Sequence, residues 1–334
     1  MIKRYLKSHP VHKQIVPKLD IIFLLRPTLF FAVWVMIVAG MASAQMTMTE
    51  FQLWITDYSL KTFLVFLGLS STVSAAFIQN QIFDIESDRT NKKLFLIGEH
   101  FTPEKARIIS HILLISGLLI SLLANWVTAV LTACIYLIWG IIYNQKPFEW
   151  KKRPVAGWFA NILAGILLFI IGWILAKQNQ TDMGLFHVNL DTIIHMLPYV
   201  LCFSSISLMT TLPDVKGDMA LDVRTFPIAF GKTSTLIISL LLVCVAFYTG
   251  IQQNDPLAST AALVSLPFFF FSTFRRLDKD ILRTIRYPIF ILNFFVLPFY
   301  PWLVVPLLLI YYLSKYYYWH RFNLHYPTFI VDHD

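Results

Sequence analysis

Long apolar stretches recur along this chain, and only short polar segments separate them. Each stretch is close to the roughly 20 residues that an α-helix needs to cross a bilayer, and together they contain one charged residue, Arg26. The apolar runs are continuous rather than alternating, which argues against membrane-spanning strands. We therefore predict an all-α integral membrane fold with about nine transmembrane helices, near residues 21–41, 62–83, 108–125, 126–143, 154–176, 192–213, 234–251, 256–274 and 288–313.

The composition also indicates a membrane protein. The sequence has 334 residues, of which 57% are hydrophobic and 14% charged, with a mean hydropathy of +0.64. We expect a basic cytoplasmic N-terminal segment at residues 1–20, lying at the membrane surface, and a single transmembrane domain at residues 21–334. The three cysteines all fall within predicted spans, so redox chemistry is not indicated.

The Lys and Arg residues are distributed unevenly between the two sides that nine spans define. Of the 27, all but Lys61, Lys177, Lys315 and Arg321 fall on one side. The positive-inside rule makes that side cytoplasmic, so we predict a multi-pass protein of the cell (inner, cytoplasmic) membrane with its N-terminus inside and its C-terminus outside. The basic residues are spread over five segments, which favours membrane lipids or a phosphorylated substrate as partners and argues against nucleic acid.

Acidic residues interrupt this basic side at the end of the second span. Asn80, Asp84 and Asp88 are spaced four residues apart. On an α-helix each such step turns about 40° and rises about 6 Å, so the three side chains are predicted to share one stripe.

The same spacing recurs at the end of the sixth span, at Asp214, Asp218 and Asp222. Both acidic stripes close an even-numbered span, so both are predicted at the same membrane face. Two matching stripes of this kind predict two pseudo-equivalent halves that face each other across a central cavity.

Stacked carboxylates of this kind repel each other unless a cation lies between them. Mg²⁺ prefers oxygen ligands and typically binds through one or two carboxylates together with substrate phosphates. We therefore predict Mg²⁺ and a metal-bridged diphosphate, with a ligand set made of Asn80, Asp84, Asp88, Asp214 and Asp218. Either cluster taken singly is equally well explained as a solvated helix end, and the matched pair is what favours a metal site.

Basic residues near the acidic clusters are candidates for binding phosphate oxygens, because guanidinium and ammonium groups pair with phosphate. They are Arg89, Lys92 and Lys93 after the first cluster, Lys216 and Arg224 around the second, and Lys151, Lys152 and Arg153 between spans four and five. We favour Arg224 and Lys92 for their position. Each of these residues is also explained as a positive-inside anchor.

These motifs resemble those of the UbiA-type intramembrane aromatic prenyltransferases. Residues 80–92 are similar to the family's first aspartate motif, N-D/Q-x-x-D-x-x-x-D followed by Asn-Lys. Residues 214–231 are similar to its second motif, D-x-x-G-D followed by R-T-x-P-x-x-x-G. Tyr143, Pro147, Lys152 and Arg153 fit the family's segment Y-x-x-x-P…K-R between spans four and five.

The resemblance implies nine helices around a central cavity and the transfer of an isoprenyl group from an isoprenyl diphosphate donor to a hydrophobic or aromatic acceptor. It implies that the four carboxylates hold Mg²⁺ and the diphosphate, with Asn80 as an additional ligand. The expected catalytic residues are Asp84, Asp88, Asp214, Asp218 and Tyr143, the last in contact with the allylic cation. The expected substrate-binding residues are Asn80, Lys92, Lys152, Arg153, Lys216 and Arg224.

Two departures from the family pattern stand out. Gln81 occupies a position where many members have Asp, which argues against a direct metal role there. Residues 93–100 replace the usual proline- and arginine-rich continuation after the first motif, so what the family implies for the acceptor side and for the loop that closes over the site does not carry over directly to this chain.

Several functions remain open at this point. An aromatic, quinone-precursor-like acceptor is expected from the family, whereas lipid, polyene or porphyrin acceptors and UbiA-type terpene cyclisation are alternatives. A membrane transporter is the leading non-enzyme alternative. The position of the acids at helix ends, rather than at the membrane midplane, argues against an ion pathway.

Overall fold

The computed structural model of the chain describes residues 10–46, 59–90, 96–178 and 188–327. These residues form helices and turns, with one isolated bridge between Ile97 and Phe101. In chain order the helices are α1 (Pro10–Leu24), α2 (Phe30–Met46), α3 (Leu60–Phe83), α4 (Ile85–Thr90), α5 (Pro103–Ala124), α6 (Trp126–Tyr136), α7 (Pro154–Gln178), α8 (Leu190–Met209), α9 (Val215–Ala220), α10 (Phe226–Phe230), α11 (Lys232–Gln252), α12 (Pro256–Arg275), α13 (Asp278–Val296) and α14 (Val304–Phe322). The prediction of an all-α fold is confirmed.

Seven segments of the described chain are long and apolar enough to cross a membrane. They are Pro27–Met46, Leu60–Phe83, Pro103–Ala124, Pro154–Lys177, Leu190–Ala220, Lys232–Gln252 and Pro256–Arg275. A shorter apolar helix, Trp126–Ile142, lies between the third and the fourth and includes a π-helical segment, Leu137–Ile142. These eight segments correspond to the first eight predicted spans, which agrees with a count of about nine.

Polar side chains begin several helices at the end of the bundle opposite the acidic motifs. The side-chain oxygens of Ser59, Asn125, Asn189 and Asp255 each accept a hydrogen bond from a backbone N–H in the first turn of the following helix, at 2.7 to 3.2 Å. Such caps satisfy N–H groups that have no partner within the helix. They explain why the apolar runs become separate helices at these positions.

Glycines allow pairs of helices to approach closely in the core. A Cβ atom on Gly40 of α2 would lie 2.1 Å from the carbonyl oxygen of Phe169 in α7. A Cβ atom on Gly68 of α3 would lie 2.8 Å from the carbonyl oxygen of Gly117 in α5. Because lipid supplies no hydrophobic force between helices, such close backbone contact is a main source of their packing energy.

The first and the last predicted spans are both interrupted. The span predicted at 21–41 bends after α1, where Arg26 adopts a left-handed conformation with φ of 52°, and α2 begins only at Phe30. The span predicted at 288–313 is two helices, because α13 ends at Val296 and α14 begins at Val304. Pro298 and Pro301 lie between them, and proline ends a helix by removing an N–H donor and by steric clash.

The second helix of this pair packs against α1. The Tyr317 hydroxyl of α14 donates to the Asp20 carboxylate of α1 at 2.6 Å, and the Arg321 guanidinium does so at 2.7 Å. The end of α14 therefore lies beside α1. The first nine and the last seven residues lie outside the described part of the chain, so the predicted sides of the two chain ends stay predictions.

Candidate functional site

The first acidic motif lies where α3 ends and α4 begins. Asp84 is the last residue bonded to α3, through its N–H to the Asn80 carbonyl at 3.0 Å, and its φ of −107° turns the chain. The N–H of Asp88 then bonds the Asp84 carbonyl at 2.8 Å. The helix is interrupted at Asp84, and Asp84 and Asp88 pair with different cations.

Asp84 is held by an amide and a cation. The Asn80 side chain donates to one carboxylate oxygen of Asp84 at 2.7 Å and also to the Asn144 side chain at 3.0 Å. The Lys151 ammonium forms an ion pair with the other oxygen of Asp84. The first motif is thereby connected to the segment that follows α6.

Asp88 has a different cation. Its carboxylate is buried, with 6% of the side chain exposed, and lies 3.4 Å from the guanidinium of Arg26, at the bend between α1 and α2. Sequence reasoning missed Arg26 as a site residue. Its position as the one charged residue within a predicted span was a signal for it, because ionisable residues at membrane depth usually have a specific partner.

The second motif has the same arrangement as the first, in which a long helix is followed by a short one. α8 ends at Met209, a 3₁₀ turn follows at Leu212–Asp214, and α9 carries Asp218 in its first turn. α9 contacts α4, and the Ser87 hydroxyl donates to the Asp218 carboxylate at 3.4 Å, across 131 residues of sequence. Tertiary structure thus brings the two acidic motifs together.

Tyr143 lies beside both motifs, immediately after the π-helical segment Leu137–Ile142 that follows α6. Its partly buried side chain lies within electrostatic range of Asp84, Asp218 and Asp214. Because an ordinary phenol is protonated at neutral pH, a neutral ring lies near three of the four motif acids. Single-turn π-helical segments of this kind are frequent at functional sites.

The three consecutive basic residues after α6 point to different surroundings. Lys151 contacts Asp84 and is only 11% exposed in its side chain, whereas the exposed Lys152 pairs with Glu149 at 2.6 Å. Arg153 is exposed and lines a narrow cavity with Tyr143. Sequence reasoning had named Lys151 but preferred its two neighbours, and the 3₁₀ turn at Trp150–Lys152 decides which of the three reaches the acids.

The remaining predicted phosphate-binding residues form no ion pair with the acidic motifs among the described residues. Lys216 on α9 and Arg224 before α10 are exposed, and neither pairs with an acid within the described part of the chain. Lys92 lies outside the described residues. The substrate-binding roles of all three stay predictions, as do those of Asn80, Lys152 and Arg153.

The narrow cavity beside Tyr143 has a mixed wall. Trp158 and Phe226 supply aromatic surface, and Asn161 and Thr225 supply polar groups. The Thr225 hydroxyl is buried and has no hydrogen-bond partner among the described residues. A polar group left in this way is available to a bound molecule.

The donor set fits a magnesium ion that arrives with its substrate. Within the described residues no three His, Cys, Asp or Glu side chains lie close enough together to hold a metal ion by themselves. Mg²⁺ typically takes one or two carboxylates and completes its coordination with phosphate oxygens and water. Carboxylates on two contacting short helices, with the Asn80 amide oxygen beside them, supply ligands of that chemistry.

Together, the fold and the site define a multi-pass helical membrane protein in which two acidic motifs meet at one end of the bundle. The model of the UbiA prenyltransferase family matches residues 28–295. The chain therefore belongs to the UbiA prenyltransferase family, and the resemblance inferred from the motifs is confirmed.

Curated relatives come from different branches. The 2-acylphloroglucinol 4-prenyltransferase of Humulus lupulus is 28% identical over 234 residues, covering 65% of this chain and 55% of that protein. The 2-acyl-4-prenylphloroglucinol 6-prenyltransferase of the same organism is 29% identical over 165 residues, covering 48% and 39%. The digeranylgeranylglyceryl phosphate synthase of Methanococcus maripaludis is 30% identical over 194 residues, covering 57% and 63%. The matched part of the chain thus spans only 39% to 63% of these relatives.

Solved structures share the fold. A UbiA homologue from Archaeoglobus fulgidus bound to DMAPP and Mg²⁺ has a TM-score of 0.63 at 18% identity, covering 84% of this chain and 96% of that chain. The same homologue bound to GPP and Mg²⁺ has a TM-score of 0.62 at 17% identity, covering 84% and 98%.

Proposed function

We propose that this protein transfers an isoprenyl group from a prenyl diphosphate to a hydrophobic acceptor within the membrane, in a reaction that requires Mg²⁺. The observation that carries the proposal is the contact of α4 with α9, which brings the two acidic motifs together beside Tyr143. Membership of the UbiA prenyltransferase family supports the same activity. An isolated solvated helix end has no reason to make such a contact.

In this proposal the diphosphate lies between the two short helices. Mg²⁺, when bound, neutralises the diphosphate and so makes it a better leaving group. Its ligands would come from Asn80, Asp84, Asp88, Asp214 and Asp218. The protein's own cations balance the remaining charge, because Lys151 and Arg26 already lie against Asp84 and Asp88.

The allylic carbon of the donor gains positive charge as the bond to the diphosphate breaks. We assign Tyr143 to that end of the donor, because a protonated phenol presents a neutral ring beside the acids. An aromatic face stabilises a desolvated cation by about 2 kcal/mol. Arg153, Lys152, Lys216, Arg224 and Lys92 are the further basic residues that the proposal places around the diphosphate.

For the acceptor we propose an aromatic, quinone-precursor-like ring. The two Humulus lupulus relatives are named for the prenylation of phloroglucinol derivatives, which are aromatic. The aromatic and polar wall beside Tyr143 suits a ring that carries hydroxyl groups. The archaeal relatives, named for a glyceryl phosphate product, keep a lipid acceptor as the second candidate.

The test is an assay of the purified chain in detergent or lipid nanodiscs with Mg²⁺ and labelled prenyl diphosphates of several lengths. We expect release of pyrophosphate that depends on the acceptor, and a prenylated product when the acceptor is an electron-rich aromatic compound. Release without any acceptor, together with a cyclised product, would replace the transferase by a cyclase. Absence of pyrophosphate release with every donor would overturn the proposed function.

The proposal also includes an orientation, with the site and the basic N-terminal segment at the cytoplasmic face of the cell membrane. Single cysteines at Met219 and Lys61, which are both exposed and lie at opposite ends of the bundle, provide a matched pair. We expect an impermeant thiol reagent to label Lys61→Cys from outside and Met219→Cys only from inside. The reverse pattern would contradict the orientation.

A further inference from the structure

Two helices outside the family-matched residues 28–295 contact each other beside the candidate site. The Asp20 carboxylate of α1 accepts hydrogen bonds from the Tyr317 hydroxyl and the Arg321 guanidinium of α14, at 2.6 and 2.7 Å. Asp20 is 4% exposed and Tyr317 is fully buried. The Tyr317 ring also stacks on Phe23 with 3.9 Å between ring centroids.

This contact adjoins the bend between α1 and α2, which carries Arg26 to Asp88. A second contact holds the bend from inside the bundle, because the Gln81 side chain donates to the Leu24 carbonyl at 2.9 Å. The bend is therefore fixed on one side by α3 and on the other side by α14.

The Gln81 contact explains the departure of this chain from the common motif. An amide N–H can donate to a carbonyl oxygen, whereas a carboxylate has no proton to donate. An Asp or Glu at this position would leave the Leu24 carbonyl without its partner and would place a charge among buried groups. Position 81 therefore serves the bend rather than the metal.

We propose that Gln81, Tyr317 and Arg321 are positioning residues that hold the bend so that Arg26 stays on Asp88, and that they thereby set the affinity of the site for a diphosphate. The inference rests on the proposed function. Pre-organised contacts of this kind act through the geometry of the groups they support, so their loss weakens binding more than it weakens the chemical step.

A second buried tyrosine–aspartate pair offers a matched control at the opposite end of the bundle. The Tyr199 hydroxyl donates to the buried Asp255 carboxylate at 2.8 Å. Tyr317→Phe and Tyr199→Phe remove the same hydroxyl from the same kind of partner. A purely structural role therefore predicts similar consequences for both variants.

The kinetic test compares these variants with the wild-type full chain. We expect Tyr317→Phe to raise the KM for prenyl diphosphate about three- to tenfold, with kcat changed by less than about twofold, a scale below the loss of one charged hydrogen bond. Arg321→Gln should behave likewise, and Arg321→Lys should restore much of the affinity. Tyr199→Phe should leave the KM unchanged. Equal KM shifts in both tyrosine variants would overturn the inference.

Two readouts do not depend on turnover. In the metal-free protein, Tyr317→Phe should speed amide hydrogen exchange at residues 24–30, and Tyr199→Phe should not. Mg²⁺ with inorganic pyrophosphate should raise the Tm of the wild type and of Tyr199→Phe more than that of Tyr317→Phe. Equal stabilisation of all three proteins would overturn the inference about the bend and would leave the proposed function standing. No stabilisation of the wild type would overturn the proposed function together with it.

Gln81→Glu keeps the size of the side chain and distinguishes a positioning role from a metal role. We expect this variant to raise the KM for prenyl diphosphate and to leave the Mg²⁺ concentration needed for half-maximal activity unchanged or higher. A lower Mg²⁺ requirement in Gln81→Glu would mean that position 81 faces the metal, and would contradict the inference.

Discussion

The two ends of the helical bundle place polar residues against different partners. At the end opposite the site, Ser59, Asn125 and Asn189 bond the first turn of the helix that each begins, and the contact between helices from Tyr199 reaches a capping residue, Asp255. At the site end, Lys151 and Ser87 reach across to acids of other segments. Local polar contacts stabilise one helix, whereas contacts between helices bring together groups that are far apart in sequence. This difference predicts that changes at the site end alter activity and changes at the opposite end alter stability.

Removal of the divalent cation should have the largest effect. We expect activity to be lost in excess EDTA and restored by Mg²⁺, because the acidic motifs cannot hold a diphosphate without neutralisation of their charge. The measurement is pyrophosphate release at matched ionic strength. Full turnover in excess EDTA would show that the site end does not work through a metal.

Loss of one motif carboxylate should come next. Asp84→Asn and Asp218→Asn should each lower turnover about 100-fold or more, the scale of one preorganised electrostatic contact. The double variant should be scarcely worse than the worse single one, because groups that act as a unit are not additive. Losses that multiply would mean that the two motifs serve separate sites. Asp278→Asn, at an exposed ion pair with Lys232, is the control.

The basic residues after α6 allow a finer comparison within the site end. Lys151→Met should lower turnover about tenfold, because it leaves the partly buried Asp84 carboxylate without its cation. Lys152→Met should change turnover by less than about threefold, since Lys152 pairs with Glu149 at an exposed position. Steady-state kinetics of the two variants measure the difference. The opposite order would favour Lys152, the residue that the family resemblance implies.

The smallest effect should follow from a cap at the opposite end. Asn189→Ala removes the side-chain oxygen that accepts from the Thr192 N–H at 3.1 Å, and such a change costs about 1 kcal/mol. We expect a lower free energy of unfolding in detergent and unchanged kinetic constants. A selective loss of turnover in this variant would remove the distinction between the two ends.

Much of the site was predictable because its residues lie in short motifs at helix ends. The spacing of Asn80, Asp84 and Asp88 marked one half of the site, and the match at Asp214 and Asp218 marked the other. The roles of these residues remain predictions, but their assembly on contacting helices is observed. The different cation partners of Asp84 and Asp88 were not predictable, because they come from segments that are far apart in sequence.

Arg26 and Lys151 show the limit of reasoning from spacing. Arg26 is far from the acidic motifs in sequence, and only the bend between α1 and α2 carries it to Asp88. Lys151 is adjacent to two equally basic residues, and only the 3₁₀ turn that contains it selects it for Asp84. Neither the bend nor the turn leaves a pattern that identifies the partner.

The sequence by itself determined that the chain lies in a membrane, that it is helical, where its first eight membrane segments lie and which family it belongs to. These are local properties, because they depend on the length of apolar runs and on short acidic motifs. Tertiary structure decided which cation faces which acid, where the last helix ends, and why position 81 carries an amide. These features depend on contacts between segments that are up to 301 residues apart, such as Asp20 with Arg321. Helix packing, rather than any local preference of the chain, decides such contacts.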